Sequence, residues 1–123
     1  MTFKMMALVT TFVGGILGLR FIFAGASILE QWGIEASAGS LVMSRRLGAL
    51  YLGLALMFFL GRTAAPSDLR SAVCLGMGGA IALLACLGLF ELRAGRVGSG
   101  IIVPAVVEWA LAAGFAWVGW RGR

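Results

Sequence analysis

The third apolar run of the chain, residues 71–90, reads SAVCLGMGGAIALLACLGLF and contains no charged residue. A helix of about 20 apolar residues crosses the roughly 30 Å of hydrocarbon in a bilayer. Three more apolar runs, at residues 5–29, 41–60 and 101–120, are separated from it by polar or proline-containing stretches. The second of these begins at residue 47 instead if its helix starts after Arg45 and Arg46. None of the runs shows the alternation of a barrel strand. The sequence therefore predicts an all-α integral membrane four-helix bundle, in which residues 1–123 form a single transmembrane domain.

The composition excludes most layouts of soluble enzymes. Of the 123 residues, 61% are apolar and 12% are charged. Soluble domains average about 45–50% apolar residues and about 25% charged residues. The chain has no histidine and only five acidic residues. A Ser-His-Asp triad, a Cys-His pair and a histidine-bound zinc each need a residue that is missing. We therefore expect no catalytic residue, no metal site and no cofactor, and we predict that the protein is not an enzyme by itself.

The basic residues indicate the orientation in the membrane. Ten Lys and Arg residues against five Asp and Glu give a net charge of +5, but they are scattered between apolar runs, which is unlike a surface that binds nucleic acid. Four spans place both termini on one side, which carries Lys4, Arg62, Arg70, Arg121 and Arg123. The other side carries Arg45, Arg46, Arg93 and Arg96. Because cytoplasmic loops hold the excess of basic residues, we expect a multi-pass inner-membrane protein with both termini in the cytoplasm.

The first apolar run has an alternative interpretation as a cleavable signal peptide. Lys4, the apolar stretch and the segment Ala24-Gly25-Ala26 resemble an n-region, an h-region and a cleavage site. However, Arg20 places a charge before the proposed cut, and the apolar character continues through Leu29. The sequence therefore favours a first span that is retained.

Two ionisable residues lie inside predicted spans, where a charge costs several kcal/mol unless it finds a partner or water. Arg20 is nine residues before Leu29 and Glu108 is seven after Ile101, so both lie roughly 10–13 Å deep at about 1.5 Å per residue. We expect them to form one polar cluster in the half of the bundle away from the termini. Its predicted members are Arg20, Arg45, Arg46, Tyr51, Glu91 and Glu108.

This predicted cluster has two interpretations. As a binding site it would hold a polar headgroup or a small anion, with Arg20 and Arg46 as donors and Glu108 as their counter-ion. As a structural feature it would be an ion pair, or a set of snorkelling side chains, that only determines the order of the helices.

Glycines form a second pattern on the first helix. At 100° per residue, Gly14, Gly18 and Gly25 lie on one face, and Arg20 points away from it. Gly14 and Gly18 have the small-x-x-x-small spacing that allows two helices to approach closely, and Gly53 in the second span offers a partner surface. The pattern predicts internal helix packing, with the seam of a homo-oligomer as the alternative.

Two segments carry a resemblance to a known family. Residues 19–26, LRFIFAGA, are followed after a short loop by residues 45–53, RRLGALYLG. Together they resemble the first half of small four-span bacterial membrane proteins of the DoxX-like kind. The resemblance implies a four-helix membrane bundle, and some members of this kind are similar to accessory subunits of membrane oxidoreductases.

Two classes of function follow from these observations. The first is a binding or accessory protein that uses its bundle to hold a lipid, a quinone or a partner protein near the polar cluster. The second is a small proton-coupled transporter in which Glu108 is the coupling carboxylate. The expected partners are the lipid bilayer and either further copies of the chain in a homo-oligomer or the subunits of a larger membrane complex.

Overall fold

The computed structural model describes residues 2–121, in which all regular structure is helical. The α-helices are α1 (Phe3–Phe23), α2 (Gly25–Gln31), α3 (Ala38–Leu60), α4 (Asp68–Arg93) and α5 (Ile102–Arg121), and a 3₁₀ turn (Ser99–Ile101) leads into α5. α1, α3, α4 and the 3₁₀ turn with α5 are each long and apolar enough to cross a membrane. The predicted all-α four-helix bundle is confirmed.

Side-chain caps mark where three of the long helices begin. The Thr2 hydroxyl accepts a hydrogen bond from the backbone N–H of Met5 (3.2 Å), and the Ser67 hydroxyl accepts one from Arg70 (3.1 Å). At the start of α3, Ser37 and Ser40 exchange side-chain to backbone hydrogen bonds in a capping box. Each cap satisfies N–H groups that have no partner within the helix. α3 begins at Ala38, three residues before the predicted start at residue 41, and it therefore includes Arg45 and Arg46.

The four long helices form two antiparallel pairs, α1 with α3 and α4 with α5, and the backbones of the two pairs approach each other chiefly where α1 meets α5. We call the end of the bundle that holds Thr2, residues 61–67 and Arg121 the terminal end, and the other end the opposite end. One apolar core joins all four helices toward the terminal end. Its buried members are Phe3, Met6, Ala7, Phe58, Cys74, Ile81, Ala112, Phe115 and Val118.

Large apolar side chains cover the outside of the bundle. The exposed fraction is 72% for Phe12 in α1, 69% for Leu60 in α3, 65% for Leu83 in α4 and 71% for Val103 in α5. Soluble monomers rarely expose contiguous apolar surface on this scale. The surface fits a lipid bilayer and a multi-pass membrane protein.

The first span differs from its predicted extent of residues 5–29. α1 ends at Phe23, and Ala24 is non-helical, with φ −136° and ψ 34°. The carbonyl of Phe21, whose usual helical partner would be the N–H of Gly25, instead accepts a hydrogen bond from the Ser44 hydroxyl (2.8 Å). Gly25 makes room for Ser44, because a Cβ at this position would overlap the Ser44 hydroxyl. The chain therefore bends at Ala24, and α2 buries Ile28 and Leu29 as a separate short helix.

Two loops lock together at the opposite end. The N–H of Gly98, between α4 and α5, donates a hydrogen bond to the carbonyl of Trp32, between α2 and α3 (2.7 Å). Gly33 has a φ of +72°, and a Cβ there would lie 2.9 Å from the Gly98 nitrogen. Gly100 lies directly against the carbonyl of Gln31. We call these contacts the loop clasp. It connects the α1–α3 half of the protein to the α4–α5 half.

Candidate functional site

Glu108 projects toward the interior of the bundle. It lies on α5 between Ala105 and Ala112, which are both buried, so it belongs to the face of α5 that packs against the other helices. The side chain is half-buried, and its Oε2 atom is fully buried without a hydrogen-bond partner. Buried polar atoms in proteins are nearly always hydrogen-bonded. An unpartnered carboxyl oxygen inside a span is therefore a candidate for ligand binding.

Tyr51 is the predicted site residue that shares this location. It lies on the face of α3 that also contains the buried residues Gly48 and Ala55. Its ring packs on Phe21, with 5.6 Å between ring centroids, and its hydroxyl is within electrostatic range of the Glu108 carboxylate. Tyr51 on α3 and Glu108 on α5 thus both lie on inward faces of the bundle, and the Phe21 ring packs against Tyr51. Both side chains can form hydrogen bonds with a polar group.

Arg20 does not pair with Glu108. Within residues 2–121 the one ion pair between a guanidinium and a carboxylate joins Arg96 to Glu91. The predicted equal depth was counted from Leu29, but α1 ends at Phe23 and Arg20 lies in its last turn. Arg20 is thus about 4.5 Å from its helix end, while Glu108 is about 9 Å into α5. The pairing was expected from equal depth along one straight helix, and the bend at Ala24 means that Arg20 and Glu108 are not at equal depth.

Arg45 and Arg46 also lie apart from Glu108. Both are exposed in the first half of α3, whereas their neighbour Ser44 is buried and bonded to α1. Each step along a helix rotates a side chain by about 100°, so the residues that follow an inward-facing serine turn away from the interior. Among the described residues, Arg46 forms no ion pair with Glu108, its predicted counter-ion.

Glu91 lies in the last turn of α4 and pairs with Arg96 in the loop that follows. The Arg96 Nη2 group donates a hydrogen bond to Glu91 Oε1 (3.2 Å), and the Arg96 Nε group donates one to Oε2. The hydrogen bond to Glu91 raises the pKa of the Arg96 guanidinium. The pair is substantially exposed, and exposed pairs contribute only about 0–1 kcal/mol. We assign it to closing the α4–α5 loop rather than to the interior site.

The predicted packing glycines divide into close contacts and open positions. A Cβ at Gly18 would lie 2.9 Å from the carbonyl oxygen of Gly48, and one at Gly14 would make an ordinary contact with the carbonyl oxygen of Tyr51 (3.5 Å). Gly25 packs on Ser44, as described above. Gly53 has nothing within 4 Å of such a Cβ, so it does not provide the partner surface for α1. Gly48 takes that role.

Sequence reasoning missed Gly48 and Thr10. Ser44 and Gly48 have the same small-x-x-x-small spacing as Gly14 and Gly18, which is the signal that could have identified the α3 side of the seam. Thr10 is buried on α1, and its Oγ1 atom has no hydrogen-bond partner. Thr10 is thus a second buried polar group without a partner, after Glu108. Its position as a threonine within an apolar run is the sequence signal that could have identified it.

Comparison of the chain with models of known families, with curated proteins and with solved structures finds no match. The resemblance of residues 19–26 and 45–53 to DoxX-like proteins therefore stays a prediction.

Proposed function

We propose that this protein is a non-enzymatic binding or accessory subunit of the inner membrane, which holds a lipid, a quinone or a partner protein inside its bundle. The observation that supports the proposal is the buried Oε2 atom of Glu108, which has no protein partner. Leaving a buried acceptor unsatisfied costs about 1–3 kcal/mol, and more for a charged group. A ligand that donates a hydrogen bond to Glu108 would recover this energy.

The surroundings of Glu108 favour an amphiphilic ligand. The Tyr51 hydroxyl can donate to a carbonyl or phosphate oxygen, and Phe21 provides an apolar surface beside it. The outer faces of the helices are apolar, so a ligand could enter from the bilayer. A lipid combines a polar headgroup with an apolar body, and a quinone does the same with its ring and tail. In its quinol form the quinone also carries hydroxyl groups that can donate to Glu108.

Native mass spectrometry of the protein purified in mild detergent tests this proposal. We expect the parent chain to retain one small molecule or one partner subunit at a constant ratio, and Glu108→Gln to retain at least about tenfold less, because a hydrogen bond to a charged group is lost. Glu91→Gln makes the same change in an exposed, ion-paired carboxylate and should retain as much as the parent. Equal retention by both variants, or no retained species in the parent, would contradict the proposal.

A small proton-coupled transporter is the second candidate, and the same interior carboxyl group favours it. Ionisable residues that face the interior of a membrane bundle are the usual elements of proton relays. Proteoliposomes loaded with a pH-sensitive dye distinguish the two functions. Proton influx that is driven by an imposed potential and is abolished in Glu108→Gln but kept in Glu91→Gln would establish transport. Influx no greater than that of empty liposomes would leave the binding function as the better account.

We also propose that the terminal end faces the cytoplasm. Lys4, Arg62, Arg70 and Arg121 lie at that end, and Arg123 lies outside the described residues. A periplasm-active phosphatase fused after the C-terminus should be inactive, since cytoplasmic segments carry the basic excess. The same phosphatase inserted after Gly95, in the loop at the opposite end, should be active. The reverse pattern would invert the topology.

A further inference from the structure

A cavity of about 470 Å³ opens at the terminal end of the bundle, far along the helices from the loop clasp. It is formed where the first turn of α1, the α3–α4 loop and the last turn of α5 meet. Among the described residues that line it, four are basic and none is acidic. The lining residues are Thr2, Phe3, Lys4, Arg62, Thr63, Ala64, Arg70, Val118 and Arg121. We call this the basic cavity.

Two of its arginines are held in place by the backbone and by aromatic rings. The Arg62 Nη1 group donates to the carbonyl of Phe59 (2.7 Å), and its guanidinium lies 4.2 Å from the centre of the Phe59 ring. The Arg70 Nη1 group donates to the carbonyl of Ala64 (2.9 Å), and its guanidinium lies 4.9 Å from the Phe3 ring. Each guanidinium has five N–H donors. Both arginines are therefore oriented while most of their donors stay free.

Among the described residues, the other charged side chains that line the basic cavity have the same sign. Lys4 and Arg121 are exposed at its edge. The dipoles of α1 and α5 oppose each other here, because α1 begins and α5 ends at the cavity. Asp68 is exposed in the first turn of α4 and does not line the cavity. Four cations that converge without a carboxylate repel one another, and a bound anion would relieve this repulsion.

We propose that the basic cavity binds a phosphate group. Arginine matches phosphate in geometry and forms charge-assisted, often bidentate hydrogen bonds with it. The Thr63 hydroxyl is a further donor on the wall. The volume is in the range of about 300–1,000 Å³ that is usual for ligand sites, which is more than an isolated phosphate ion needs.

The position of the basic cavity favours a phospholipid as the source of that phosphate. The cavity lies at the ends of α1, α3, α4 and α5, where the headgroup layer of a bilayer meets a membrane protein. Phe3 and Val118 add apolar wall beside the basic groups, which suits the start of an acyl chain. Basic pockets at the ends of transmembrane helices recognise anionic headgroups in this way. The proposal does not depend on the site at Glu108.

Binding of defined lipids to the full chain, delipidated in detergent, tests the proposal by native mass spectrometry. We expect phosphatidylglycerol to bind more tightly than phosphatidylcholine, whose choline group is repelled by the arginines. The double variant Arg62→Gln with Arg70→Gln should bind phosphatidylglycerol at least about tenfold more weakly, because two charge-assisted contacts are lost. Binding of inorganic phosphate to the delipidated chain, together with no preference for phosphatidylglycerol over phosphatidylcholine, would identify a soluble phosphate as the source instead of a lipid.

The matched control is Arg45→Gln with Arg46→Gln. It removes the same charge from exposed arginines of α3, and it should bind phosphatidylglycerol as the parent does. If both double variants lost binding equally, net charge alone would explain the binding, and the proposal would be overturned. Unchanged binding in both double variants would overturn it as well. Arg121→Gln covers the case in which the first double variant does not fold. Arg121 is exposed, so this variant should melt like the parent and still bind severalfold more weakly.

Discussion

Gly48→Ala should lower the stability of the purified protein by about 1–3 kcal/mol, which is the usual cost of overpacking a close interface. A Cβ at this position would lie 2.6 Å from the carbonyl oxygen of Gly18 and 2.7 Å from Cγ1 of Ile22. The first of these atoms belongs to the backbone, so no change of side-chain rotamer can relieve the overlap. α1 and α3 would have to move apart along their shared seam. The drop should appear as a lower midpoint of thermal unfolding in detergent.

Gly53→Ala is the control on the same helix. Nothing lies within 4 Å of a Cβ at Gly53, so the new methyl group would meet open space. Alanine is also favoured over glycine in a helix by about 1 kcal/mol, and this gain applies to both variants. We expect Gly53→Ala to melt at or above the parent's midpoint. If the two variants melted together, the close approach of Gly18 and Gly48 would not be what holds α1 to α3.

Gly100→Ala should open the loop clasp. A Cβ at Gly100 would overlap the carbonyl oxygen of Gln31, so the α4–α5 loop would have to withdraw from the α2–α3 loop. The hydrogen bond from Gly98 to Trp32 would be lost with it. We expect a loss of stability of about 1–3 kcal/mol and faster hydrogen exchange at the Gly98 amide. Exchange measured by mass spectrometry on fragments that contain Gly98 follows this effect directly.

Gly95→Ala is the control that distinguishes loss of the loop clasp from ordinary backbone strain in the same loop. Gly95 lies in the same loop with a φ of +79°, and nothing lies within 4 Å of a Cβ there. Alanine at this position should cost only the strain of the left-handed conformation, about 1–2 kcal/mol, and Gly98 should keep its protection from exchange. Fast exchange at Gly98 in both variants would mean that the loop responds to any perturbation rather than to the contact with Gln31.

The four spans were predictable because membrane thickness alone sets the length of an apolar helix. Residues 71–90 lie within α4 and residues 101–120 follow the extent of α5 closely. The first span was less predictable, since its apolar character continues through Ala24 into α2. The bend depends on Ser44, which is distant in sequence and supplies the hydrogen bond to Phe21. No local pattern within residues 5–29 contains that information.

The candidate site was predictable in part. Glu108 stands out in the sequence because a carboxylate in an apolar run needs a partner, and the structure places Tyr51 near it. The expected partner Arg20 depended on equal depth, which assumed one straight helix from residue 5 to residue 29. Once the chain bends at Ala24, counting along the sequence no longer measures depth.

The sequence by itself determined that four helices are long and apolar enough to cross a membrane and that most basic residues lie between these spans or near their ends, because both properties follow from the transfer of side chains between water and hydrocarbon. Only the tertiary structure decided which of these residues are neighbours. The contact of Gly18 with Gly48 joins α1 to α3. Arg62 of the α3–α4 loop converges with Arg70 of α4 and Arg121 of α5. Hydropathy measures how deep a residue lies, but lateral neighbours depend on the rotation and pairing of helices, which are set by side-chain packing.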